Sequence, residues 1–286
     1  MKTIILSDIS GHSESMIPYG LNIGKHTETD VEIIHMLDPR EHQGATSPYS
    51  DSQSVSPGEV QDPKEILNKE KTRVQHQLDQ LLSKEASRLN YPLRINIRIE
   101  TEYLEGGLKK ILNEHPESIL VTSSEPGKSV IKDVEELFSI VKRLAAPVII
   151  TPPGAPFIPP QKILMIPDLS EGGYNRVLNT FQWLKPFEPE IFAFEIVTLE
   201  KVLEMELKMN HWEEVINRHT GSDIRLKTGL LKGQDYLDTL INNIENSDPQ
   251  MVIIPRIHKN NERYSMFPEN RSMQVVQSSH KPVLLY

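Results

Sequence analysis

The segments KTIILSDIS (residues 2–10) and KILMIPDLS (residues 162–170) decide the reading of this chain. Each is a short apolar run that ends on Asp, any residue, Ser. Asp8 with Ser10, and Asp168 with Ser170, therefore stand at the ends of strand-like segments 160 positions apart. The correspondence continues beyond them. VEIIHML from Val31 meets IFAFEIV from Ile191 at the same offset. LRINIRIETEYLEGGLKKIL from Leu93 then meets IRLKTGLLKGQDYLDTLINNI from Ile224 at an offset of 131. SILVTS and MVIIPR follow, and both halves close alike, with APVIITP from Ala146 and KPVLLY from Lys281. The chain is an internal repeat, and repeats change every later assignment.

The fall in offset places about 29 extra residues between the second and third strands of the first half. Residues 41–63, rich in Ser, Pro and Gly, supply most of them and read as an inserted mobile loop. TPPGAPFIPPQ (151–161) reads as a stiff proline-rich linker. The expected organisation is a domain over 1–150, the linker, and a second domain over 162–286.

Strand and helix signals alternate five times in each half. Ile17, Leu21 and Gly24 carry helical spacing after the first strand, with Ser13 and Glu14 suited to the first turn. Leu67, Val74, Leu78, Leu81, Leu82 and Leu89 lie along one face of a long helix over 63–90. Leu104, Leu108, Ile111 and Leu112 form a third helical face, and Val130, Val134, Leu137, Val141 and Leu144 a fourth. Continuous apolar strands between amphipathic helices predict an α/β fold, with parallel sheets covered on both faces.

Composition narrows the function. The chain has 286 residues, 37% hydrophobic and 25% charged, ordinary for a globular protein. No apolar run nears the ~20 residues that span a bilayer, and the first ten residues lack the apolar core of a signal peptide. A cytoplasmic protein is expected. With no cysteine there is no disulfide, thiolate metal site or cysteine nucleophile. A net charge of -9 argues against general nucleic-acid binding.

Ligands of doubly wound sheets sit at the carboxyl ends of the strands, near the point where strand order reverses. Asp8 and Asp168 are aimed there, where a carboxylate accepts hydrogen bonds from an amine or a ribose hydroxyl. Ser10 and Ser170 suit the start of the following helix, whose free amides also attract anions. Helix capping and ligand contact both account for the motif, and its recurrence does not choose between them, because duplication copies caps as faithfully as sites.

With strands ending in Asp-x-Ser, a long second helix and a last strand introduced by Pro-Val, the chain resembles the universal stress protein family, as a tandem member. The resemblance implies two doubly wound, parallel five-stranded sheets of order 3-2-1-4-5. It also implies pairing of the two domains through their last strands. ATP-binding members of that family carry Gly-x2-Gly-x9-Gly-Ser/Thr after the fourth strand, where glycines let backbone amides approach phosphates. Here the first half has Gly127, Lys128 and Ser129 and then no glycine until Gly154, and the second half has none after Gly233. The loop is interrupted in one half and missing from the other. PGKS (126–129) also lacks the earlier glycine of a P-loop, since position 122 is Thr. It reads as a surface turn or as a residual anion contact.

In the second half, Arg256, His258 and Lys259 follow the fourth strand, where side chains could replace missing backbone donors. A solvated polar loop is the plainer reading. His211 and His219 lie two turns apart, too far for one tight metal site. Glu105 and Asp235 read as first-turn carboxylates favoured by helix dipoles. No nucleophile elbow occurs. The expectation is a non-enzymatic, stress-associated binding or regulatory protein in which ordinary ATP binding has been lost. The contrasting expectation is an ATP-binding protein with slow hydrolysis at a residual first-half site. No metal, nucleic-acid or membrane partner is expected. ATP or another adenine nucleotide is the cofactor considered, and a homodimer, a small molecule or a protein the partner.

Overall fold

A computed structural model describes residues 1–7, 13–38, 63–89, 94–125, 133–170, 173–220, 224–232, 235–256 and 269–286. The first half runs β1 (Lys2–Ser7), α1 (Ser13–Thr27), β2 (Asp30–Met36), α2 (Pro63–Leu89), β3 (Ile95–Glu100), α3 (Leu104–Glu114), β4 (Ser118–Ser123), α4 (Val134–Val141) and β5 (Val148–Thr151). The second runs β6 (Lys162–Met165), α5 (Gly173–Leu184), β7 (Glu190–Val197), α6 (Val202–Thr220), β8 (Arg225–Lys232), α7 (Tyr236–Ser247), β9 (Met251–Ile254), α8 (Glu269–Ser278) and β10 (Val283–Leu285).

The ten strands of the described residues join one sheet in the order β3-β2-β1-β4-β5-β10-β9-β6-β7-β8. Each half thus has the order 3-2-1-4-5, parallel throughout. Among the described residues the single antiparallel junction is β5 with β10, in the register Val283↔Ile150 and Leu285↔Val148. That junction has a geometric consequence. It sets the carboxyl edge of the second half's strands beside the amino edge of the first half's.

Burial explains the strand sequences. β1, β4 and β9 are covered on both faces, so Ile4, Ile5, Leu120, Val121, Val252 and Ile253 are all sealed from solvent. The outermost strands β3 and β8 are only half-buried and carry Arg98, Arg225 and Lys227, which discourage further strand pairing. Apolar residues sort by sheet face. One layer packs α1, α2, α5 and α6, through Met16, Val74, Phe181 and Trp212. The other packs α3, α4, α7 and α8, through Leu108, Leu137, Leu240 and Val275. Each layer runs through both halves. α1 lies so close to the sheet that a Cβ on Gly24 would come within 2.5 Å of Val31.

The long second helix matches the expected face, with Val74, Leu78 and Leu89 buried and Leu81 and Leu82 partly so. The expected fourth helix face is shorter than its apolar spacing. Leu144 lies beyond the end of α4, buried in the turn that follows. Val130, the greater part of the inserted loop (residues 41–62) and Asn90 lie outside the described residues. The proline-rich linker packs as well as connects. The Phe157 ring meets Tyr19 edge-on at 5.2 Å and stands 5.2 Å from His26. No described helix is long and apolar enough to cross a membrane.

Candidate functional site

The switch point of the second half lies between β6 and β9, the one place where successive connections leave in opposite directions. Ile166 continues β6 by donating its N–H to Ile253 at 2.9 Å. The chain then turns through Asp168 to Ser170. One carboxylate oxygen of Asp168 accepts the Ser170 N–H at 3.0 Å, and the other is ion-paired with Arg176, from the first turns of α5. Gly173 opens that helix directly against the aspartate. A Cβ there would stand 2.3 Å from the Asp168 carbonyl oxygen and 2.7 Å from its Cγ, so the start of α5 accepts no side chain.

Tyr286, just after β10, clamps the same turn. Its hydroxyl donates to the Ile166 carbonyl at 3.0 Å and accepts the Asp168 N–H at 2.7 Å. Burial holds its phenol well above the ordinary range, so it stays protonated. Ser170 contributes its backbone, since its carbonyl accepts the Gly173 N–H at 2.9 Å. Its Oγ is buried with no partner among the described residues.

Arg256 follows β9 on the other side of the switch point. Its N–H donates to the Tyr286 carbonyl at 2.8 Å. Its guanidinium crosses to the first half, donating to the carbonyls of Val141 at 3.1 Å, Leu144 at 2.5 Å and Ala145 at 3.4 Å. Those carbonyls end α4 and the turn after it, where a cation complements both the unpaired acceptors and the helix dipole. With 4% of its surface exposed, Arg256 is not in a solvated loop. Burial, and then the Arg176 guanidinium nearby, push it down to about 10.

A cavity of about 280 Å³ opens here, where the two strand edges meet. Arg176, Asn179, Gln182, Arg256 and Tyr286 line it from the second half, with Glu117 and Pro147 from the first. The Nε–H groups of both arginines are buried and find no acceptor among the described residues. Farther along the same edge, Glu195 is 7% exposed at the end of β7. Its carboxyl accepts the Ile196 N–H at 3.2 Å, and burial pushes it up to about 7 against the pull of Arg271.

Of the residues expected from sequence, Asp8, Ser10, Gly127, Lys128, Ser129, His258 and Lys259 lie outside the described residues. Asp168, Ser170 and Arg256 gather around one turn. Asp235 caps α7 by accepting the Asp238 N–H at 3.0 Å. Glu105 binds Lys109 at 2.7 Å and Arg143 at 2.9 Å, and these partners hold its carboxyl below the ordinary value. No three His, Asp or Glu residues converge among the described residues. Sequence reading missed Arg176, Gly173, Tyr286 and Glu195. The only local signal among them was Gly173, at the expected start of a helix.

No protein-family model and no curated protein matches the sequence. Solved structures do match the fold. A universal stress protein from Archaeoglobus fulgidus superposes with a TM-score of 0.64 at 11% identity, over 99% of this chain and 95% of that one. The cytoplasmic domain of a prokaryotic cation chloride cotransporter gives 0.54 at 11% identity, over 99% and 93%. A candidate universal stress protein from Pseudomonas aeruginosa gives 0.51 at 12%, over 99% and 92%. Nearly the whole of this chain therefore has the fold of the universal stress proteins.

Proposed function

We propose that this chain is a non-enzymatic, cytoplasmic, stress-associated binding or regulatory protein. In this reading it consists of tandem units over 1–150 and 162–286, joined by the linker 151–161 and paired within one molecule through β5 and β10. Ordinary ATP binding has been lost. The observation that carries this reading is the state of Asp168. Its carboxylate, the group that would meet a ribose or an amine, is engaged by Arg176 and by its own turn. The second half also offers no glycine after Gly233 for a phosphate loop. Asp8, Ser10, Gly127, Lys128 and Ser129 remain the ligand-contact positions of the first half in this proposal, and Asp168, Ser170, Arg256, His258 and Lys259 those of the second.

A second reading keeps ATP binding, with slow hydrolysis, in the first half. It rests on Gly127, Lys128 and Ser129 lying between β4 and α4, where a loop meets phosphate. Calorimetry with ATP and Mg²⁺ on the full chain separates the two. No saturable heat is the expected result. Saturable micromolar binding that disappears in Asp8→Ala overturns the main reading in favour of the second.

A further inference from the structure

The two halves differ at the cavity between them. Superposing the repeats pairs Lys2 with Lys162, Ser13 with Gly173, and hence Met16 with Arg176 and Tyr19 with Asn179. The hydrogen bond from Ser124 N–H to the Thr151 carbonyl, 2.9 Å, matches that from Arg256 N–H to Tyr286, 2.8 Å. So Arg256 stands where the first half has Ser124, and Tyr286 where it has Thr151. At these positions the first half carries Met16 and Tyr19, both sealed in the core, and small hydroxyls. The second half carries two arginines, an amide and a tyrosine around an open space.

A buried guanidinium is costly to desolvate unless it is compensated. Arg256 has three carbonyl partners but no carboxylate among the described residues, and it faces a second guanidinium. Only Arg176 is neutralised, by Asp168. Arg176 and Arg256 line the same cavity as Asn179 and Gln182, the charge of Arg256 is met by carbonyls alone, and the Nε–H donors of both arginines find no acceptor among the described residues. The one acidic side chain on its lining, Glu117, is 79% exposed and pairs with the Met1 ammonium at 3.6 Å. Guanidinium pairs with spare N–H donors suit the oxygens of a phosphate. The volume, about 280 Å³, falls just short of pockets that hold drug-sized ligands, which leaves room for a small ester.

We propose that this cavity binds a small phosphomonoester, its phosphate held by Arg176 and Arg256 and its organic part against Asn179 and Gln182. The proposal rests on the reading of this chain as a binding protein and supplies the ligand class. Arg256 then has two roles, joining the end of α4 to β9 and meeting the anion. Occupancy of the site tightens the junction between the halves.

The test is calorimetry and thermal denaturation of the full chain, in chloride buffer at matched ionic strength. The probes are ribose 5-phosphate, inorganic phosphate and ribose. Ribose 5-phosphate is expected to bind saturably and raise the Tm, phosphate to bind more weakly, and ribose not at all. The double variant Asn179→Asp with Gln182→Glu alters only exposed positions of α5, so it folds normally. It places negative charge beside the anion and is expected to weaken ribose 5-phosphate binding at least ten-fold. Absence of saturable binding by the ester overturns the proposal, and so does undiminished binding by the double variant. These readouts are independent of the Asp8 result with ATP, so failure of one reading is distinguishable from failure of the other.

Discussion

Replacing Glu195 by Gln is expected to stabilise the protein above pH 7 and leave it unchanged near pH 4. The carboxyl sits at the end of β7 with 7% of its surface exposed. Tyr236 and Tyr286 are close enough for its charge to raise both phenols, and Arg271, which lies 4.4 Å over the Tyr236 ring, is the nearby cation. Burial outweighs that cation and pushes the group up to about 7, against an ordinary 4.5. Below 4.5 the folded and unfolded chains are both protonated at this position. Between 4.5 and about 7 the folded chain keeps the proton that the unfolded chain has lost, so stability falls as pH rises. Above 7 both are ionised and the loss is complete. At about 1.4 kcal/mol for each pH unit separating the two titrations, the full loss is about 3 kcal/mol. A glutamine of the same shape has no proton to release and escapes it. Urea denaturation of both proteins from pH 4 to 8 reads the difference directly, since all other titrating groups are shared. A variant that parallels the native protein across this range, or is less stable at pH 8, refutes the argument that burial governs Glu195.

Other expectations concern the turn around Asp168. Gly173→Ala forces a Cβ against the Asp168 backbone and carboxyl and should lower stability by about 1–3 kcal/mol, measured by urea denaturation. Tyr286→Phe strands the part-buried Asp168 N–H and the buried Ile166 carbonyl and should cost about 1–3 kcal/mol in the same assay. Leu203→Lys and Leu207→Lys, on side chains 78% and 73% exposed, should each change stability by less than about 0.5 kcal/mol.

Much of this architecture is legible in the amino-acid order, because strands and helices announce themselves locally. Period-3.6 spacing marks α2 and α3 within a residue or two of their ends, and continuous apolar runs mark the central strands. The Asp-x-Ser repeat places β1 and β6 in equivalent positions. The end of α4 departs from its apolar spacing because Leu144, though at a helical interval, is buried in the turn that Arg256 ties down. Helical spacing cannot distinguish a last turn of helix from a buried turn that a distant side chain holds.

The amino-acid order alone determined the duplication, the α/β class and the turn at which Asp168 and Ser170 would be found. What surrounds that turn was decided by tertiary structure. Tyr286 reaches Asp168 across 118 positions of chain, and Arg256 reaches Leu144 across 112. The first contact exists because β6, β9 and β10 lie side by side, and the second because β5 and β10 run antiparallel and bring opposite strand edges together. The carboxylate at the end of the first strand is conspicuous in the sequence. The guanidinium that engages it comes from the helix that follows, whereas the hold of the second guanidinium on the end of α4 is a product of how the two halves meet.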